Sequence, residues 1–228
     1  MSIDLWNKRW QALEIACKKN GATDRWDKGK RNPMRMLIGP PADEQSILQM
    51  ERKLSRELPR SFRNVIGKYS ADVDIAWQLR ASSARLPKEF DGIFSGEVRW
   101  SLLSLPDLFK HYNEWITVCF FRTNDPYDSI WHNKFPILNL ADGDMIGIET
   151  GENRNGAVIY LSHEDGEGHG YVLGNDFEDY IDRLSLIGGV GAEDYQWLPF
   201  TSSKTTGIDP YSEAGQKWRE WFGLEFPN

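Results

Sequence analysis

The sequence predicts an α+β fold: one domain in which a mainly antiparallel sheet is packed with several helices. Three observations carry this. Helical stripes at i, i+3, i+4 and i+7 occupy the beginning and end of the chain, alternation with a period of two occupies the middle, and the strand-like runs are joined by turns too short for parallel crossovers. With 228 residues, 40% of them apolar, the chain can bury a substantial core.

Trp6, Trp10, Leu13 and Cys17 form the first stripe, which stops at Asn20-Gly21. The basic, glycine- and proline-punctuated "ATDRWDKGKRNPMRMLIGPP" that follows reads as a connector. From Asp43, residues Ile47, Met50, Leu54 and Leu58 line a second helix, and Pro59 opens a third with Phe62, Ile66 and Tyr69 inward. Val73, Ile75, Trp77 and Leu79 then alternate with polar or small residues as a half-buried strand does, and Val98, Trp100 and Leu102 repeat the pattern. Ser104, with Asp107 three residues on, is the expected cap of a helix carrying Leu108, Phe109, Tyr112, Trp115 and Ile116.

Between residues 135 and 173 four short apolar runs, "FPILNL", "MIGIE", "AVIYL" and "YVL", are separated by turn-rich segments, which predicts a meander of hairpins. Asn175, with Glu178 three residues on, is expected to cap a helix that ends at Gly188-Gly189, and Asp209-Pro210 to open a last one closed by Gly223. The expected division is an N-terminal helix and connector (1–41), an α+β core (42–190) and a C-terminal extension (191–228) with a short helix packed on the core.

Charge is uneven. From Asp142 to Asp182 there are eleven Asp or Glu against one basic residue, Arg154, a balance of −10; since the whole chain carries −7, the remainder sums to +3. This distribution argues against direct nucleic-acid binding and for a face that steers a basic partner. No apolar run approaches the roughly 20 residues that span a bilayer, and charge interrupts the N-terminus where a signal peptide would be apolar. No membrane association and a cytoplasmic location are therefore expected. Cys17 and Cys119 stand apart, without a CxxC pair.

Two clusters invite a chemical reading. "ADGD" places Asp142 and Asp144 around Gly143; Asp-Gly between apolar runs is a hairpin signal, and the oxygen positions of a calcium loop are taken by Met145 and Ile146. The turn is expected to be exposed and structural. "HEDGEGH" sets His163 and His169 around Glu164, Asp165 and Glu167, but its glycines preclude the helix of an HExxH zinc site. An acidic surface hairpin is expected, tolerant of histidine replacement, with a metal-dependent hydrolase as the rival reading. His111 and His132 are isolated, and GxSxG and nucleotide loops are missing. No catalytic residue, cofactor or metal is assigned. The expected partner-binding residues are Asp142, Asp144, Glu149, Glu152, Glu164, Asp165 and Glu167, with Trp131 and Tyr171 as aromatic anchors; Trp26, Trp131 and Trp197 read as loop residues.

The stretch "ADEQSILQMERKLSRELPRSFRNVIGKYSADVDI", then "FPILNLADGDMIGIET" and "AVIYLSHEDGEGHGYVLGNDFEDYIDRL", resembles the SUKH superfamily of Smi/Knr-type proteins over residues 42–187. The Leu58-Pro59 joint and the Gly143-Asp144 turn are its most telling points. The resemblance implies an α+β domain without catalytic activity. It implies either a bacterial immunity protein that neutralises a cognate polymorphic toxin, often a nuclease, or a regulatory scaffold like the fungal relatives.

Overall fold

The first helix, α1 (Ile3–Lys19), buries Trp6, Trp10, Leu13 and Cys17, the stripe its spacing predicts. In the computed structural model, which describes residues 3–24, 27, 32–80, 86–151 and 156–224, this helix lies on a late one, α6 (Phe177–Leu186). The Trp6 indole donates to Asp182 Oδ1 at 3.0 Å, and Arg9 Nη1 donates to the same oxygen at 2.6 Å and to Ser185 Oγ at 2.9 Å. The connector contains a short strand, β1 (Arg35–Ile38), which the sequence reading passed over. Four residues next to glycine and proline show no period; only pairing with β2 (Asp72–Gln78), Met36 opposite Ile75 and Ile38 opposite Val73, identifies it.

Asp43 caps α2 (Glu44–Leu54) by accepting from the Ser46 amide at 2.7 Å. That helix stops sooner than the stripe to Leu58 suggests, because Ser55 turns left-handed at φ 53°. Leu58 is buried on the link and donates its amide to Glu51 Oε1. Pro59 starts α3 (Arg60–Lys68). β2 pairs antiparallel with β3 (Ser95–Ser101), placing Trp77 opposite Gly96. A Cβ at Gly96 would stand 2.1 Å from the Trp77 Nε1, so glycine is required where that indole crosses to donate to Gly188 O at 2.8 Å.

α4 (Leu105–Glu114) follows, and Ser104 does sit before it, but its hydroxyl bonds back to Ser101 O and makes no capping bond. The helix runs on as a π-helical turn over Trp115–Cys119. A short α5 (Asp128–Trp131) leads to β4 (Lys134–Asn139), β5 (Met145–Glu149), β6 (Val158–Leu161) and β7 (Val172–Gly174), an antiparallel meander in chain order. α6 is capped by Asp176 rather than Asn175: Asp176 Oδ1 accepts from the Asp179 amide at 2.8 Å, while the Asn175 amide donates to Asp179 Oδ2 at 2.7 Å. One free amide of the helix and the amide just before the cap are thereby satisfied reciprocally. α7 (Asp194–Trp197) and α8 (Glu213–Phe222) complete the chain, α8 starting at the Ser212 cap, later than Asp209-Pro210 suggests.

The expected antiparallel sheet is therefore two sheets, β1-β2-β3 and β4-β5-β6-β7. Helices and aromatic side chains fill the space between them. Phe62 of α3 is fully buried, with Phe135 of β4 at 5.7 Å and Phe177 of α6 at 5.0 Å, and Phe177 meets Trp100 of β3 edge-on at 5.5 Å. Such pairs add to the burial energy of the rings themselves. The C-terminal segment shares this core: Trp218 is buried against Phe90, Phe200 and Phe222, and donates to Ile187 O.

Candidate partner-binding face

The β4–β5 turn is built by its own backbone. Leu140 N donates to Asp144 O at 2.8 Å, Gly143 N donates to Leu140 O at 3.2 Å, and Asp142 Oδ1 accepts from the Asp144 amide at 3.0 Å. Gly143 takes φ 109°, which glycine alone adopts at little cost. The two aspartates then part. Asp142 stays at the surface, whereas Asp144 points inward and is only 6% exposed, which corrects the expectation of an exposed turn. Its carboxylate accepts from the Tyr160 hydroxyl at 2.5 Å and from the His163 amide at 2.7 Å, and lies 2.6 Å from His163 Nδ1. An unpaired charge there would be costly, and three donors to it remove that cost. Asp144 therefore tethers the β6–β7 connection to the turn from a buried position.

That connection, "SHEDGEGHG", is not the loose hairpin its composition suggests. His169 is buried, its Nδ1 accepts from the Ser162 amide at 3.0 Å, and its protonated Nε2 therefore donates to Tyr127 O at 3.1 Å. Its ring stacks on Tyr127 at 3.7 Å. Burial holds the His169 pKa below the ordinary histidine value. The Tyr127 hydroxyl donates to Ser162 O and accepts from the Asp165 amide. Burial also disfavours a charged His163, but the hydrogen bond and charge of Asp144, with Glu164 and Asp142, outweigh it and raise that pKa. Neither histidine is a tolerant surface residue, and among the described residues no group of three or more His, Cys, Asp or Glu is arranged to hold a metal ion.

Other expected residues separate by burial. Trp131, read from sequence as a loop anchor, ends α5 with 0% exposure and donates to Ser162 O at 3.1 Å; it supports the loop from beneath because Phe120 stacks on it at 4.5 Å. Trp197 is likewise buried in α7, and Trp26 lies outside the described residues. Glu149 is engaged by the Lys134 ammonium at 2.9 Å and by the Gly151 amide at 2.8 Å. Glu152 lies outside the described residues. Tyr171 is half-buried against Trp197, with the Lys204 ammonium over its ring.

What remains exposed is Asp142, Glu164, Asp165 and Glu167, and the fold brings the half-buried Glu193 and Asp194 beside them. Asp194 Oδ2 accepts from the Gly168 amide at 3.0 Å, drawing α7 onto the loop. Asp142, Asp165, Glu167, Glu193 and Asp194 form no ion pair with any described Lys or Arg, and Glu164, 81% exposed, meets only His163. Burial first, and then the charges of Asp144 and Glu193, raise the Asp142 pKa. Partial loss of water around its hydroxyl end, then the hydrogen bond and charge of Glu193 and the charges of Asp142 and Asp194, raise the Tyr195 pKa. Exposed aromatic side chains flank these carboxylates. Tyr195 stacks on Phe94, each more than two-fifths exposed. On the other side Trp115 meets the His163 ring at 5.4 Å, and the π turn beyond it exposes Val118, with Phe121 just past its end.

Glu193, Asp194, Tyr195 and Phe94 were missed from sequence, where "GAEDY" follows glycines assigned to a helix stop. Its two acids beside an aromatic residue were the available signal.

Comparison with family models matches residues 41–183 to the model described as SMI1 / KNR4 family (SUKH-1). Neither the curated proteins nor the solved structures give a match.

Proposed function

The chain belongs to the SMI1/KNR4 family (SUKH-1), and from that membership we propose that it is a non-catalytic, cytoplasmic immunity protein that binds and neutralises a cognate protein toxin with a basic surface, a nuclease being the fitting class. The observation that carries this reading is the group of carboxylates Asp142, Asp165, Glu167, Glu193 and Asp194, none of them paired with a described cation. Like charges held together raise the potential of a surface and attract an oppositely charged partner from a distance. A nuclease, which must hold phosphate, carries the complementary basic surface.

Affinity needs more than charge. Phe94 and Tyr195 on one flank and Phe121 on the other supply apolar area that a partner can desolvate, and Tyr171 lies half-buried nearby. The test is to replace Asp142, Glu164, Asp165, Glu167 and Glu193 by their amides and to measure association and dissociation with the toxin encoded beside this chain, at low and high salt. Association slowed by about tenfold or more, with a flattened salt dependence, is the expected result. An unchanged association rate removes the acidic face from the interface. Binding without neutralisation would favour the regulatory-scaffold role instead.

A further inference from the structure

A second surface has the opposite charge and a shape of its own. Pro106, Phe109, Lys110, Asn113, Glu114 and Thr117 fall at i, i+3, i+4, i+7, i+8 and i+11, one unbroken face of α4 and its π-helical continuation, and together they line one wall of an open groove. The other wall is the end of α2 and the turn after it, with Lys53, Leu54 and Arg56. The open groove holds about 580 Å³.

Three features of the groove point to a ligand. Lys53, Arg56 and Lys110 form no ion pair with a described carboxylate, and Glu114, the one acid on the walls, is directed to His111 at 3.6 Å. The floor is apolar: Leu54 and Pro106 are half-buried, and Phe109 lies beneath the Arg56 guanidinium, whose Cζ is 4.6 Å from the ring centroid. That stacking holds Arg56 over the groove at little further entropic cost. Finally, the cations stand on two different elements, and an extended ligand lying along the α4 wall can reach both.

We propose that this groove binds an acidic peptide segment that inserts an apolar side chain between its carboxylates. The α4 wall from Pro106 to Thr117 is ~16 Å long at the rise of a helix, which about five residues of extended chain cover. Carboxylates on the segment meet Lys53, Arg56 and Lys110, and its apolar side chain covers Leu54 and Pro106. A free phosphate is a poorer fit. Phosphate sites use converging backbone amides at a helix N-terminus, whereas the end of α2 presents carbonyls. The groove is distinct from the acidic face in residues and in sign of charge, so either can fail without the other.

The experiment uses the full chain labelled with nitrogen-15 and a capped pentapeptide Glu-Gly-Leu-Gly-Glu, whose three side chains share one face when extended, titrated at low salt with amide shifts as the readout. Controls are inorganic phosphate at matched ionic strength and a capped pentapeptide Lys-Gly-Leu-Gly-Lys. Saturable shifts confined to residues 53–56 and 107–117 are expected for the acidic peptide alone. They should weaken at least tenfold in K53E/R56E/K110E, since each reversal sets like charges together. The single variant K110E, at an exposed helical position, should weaken binding in the same direction if the triple variant is too unstable to read. Equal response to phosphate or to the lysine peptide, shifts elsewhere on the molecule, or undiminished binding by the variants would each overturn the proposal.

Discussion

His163 meets Asp144 twice: its backbone amide and its ring Nδ1 both lie within 2.7 Å of the same carboxylate oxygen, while the other oxygen accepts from Tyr160. Removing the carboxylate strands all three donors, the Tyr160 hydroxyl among them buried. Asp144→Ala should therefore lower stability by about 2 to 4 kcal/mol, and a double-mutant cycle with Tyr160→Phe should show coupling of at least about 0.5 kcal/mol. Urea denaturation measures both. Additive losses would mean that Asp144 and Tyr160 act separately.

The two loop histidines should give opposite pH dependences. His163 has a raised pKa in the folded chain, so its contribution is complete below the ordinary value of about 6.5 and fades as pH rises through the folded value. His169 has a lowered one, so its contribution is complete above about 6.5 and is lost as pH falls toward the folded value. His163→Gln should flatten the alkaline side of a stability-against-pH curve, and His169→Gln the acid side, whatever packing each costs. Parallel curves for either variant and the parent would show that the histidine does not titrate between the two states as described.

Gly143→Val tests the turn itself. At φ 109° a branched residue is strained, and its Cβ would also touch the His163 ring and Trp115 at 3.4 Å. The expected loss is roughly 1 to 3 kcal/mol, read from the urea midpoint. A variant as stable as the parent would mean that the turn relaxes into another conformation.

Lys134 and Glu149 face each other across β4 and β5, and Lys134 is only 4% exposed. Glu149→Ala removes a carboxylate 2.9 Å from that ammonium inside the sheet, and should cost about 3 kcal/mol. It should leave the association rate with a basic partner within about twofold, because the charge removed is already neutralised. A large kinetic effect with little loss of stability would return Glu149 to the interface.

Most of the helices and the β4–β7 meander were legible because their signals are local. The Trp6, Trp10, Leu13, Cys17 stripe, the alternation in Val73–Leu79 and the Asp-Gly turn each report on a few neighbouring residues. β1 was illegible because a four-residue strand exists only through its partner, and the division into two sheets because register between distant strands leaves no local trace. At the candidate face, sequence indicated the acidic segment but not which acids reach solvent.

Composition and spacing by themselves determined the α+β class, the acidic bias of residues 142–182 and the structural character of the Gly143 turn, since all three depend on chain-local geometry and charge. Tertiary structure alone decided that Asp144, Trp131 and His169 are buried, that the half-buried Glu149 is paired with Lys134, and that the half-buried Glu193 and Asp194 come beside the exposed Asp142. The physical reason is that burial and pairing are set by which segments the core brings together: a carboxylate is a solvated charge or a buried acceptor according to the donors that surround it.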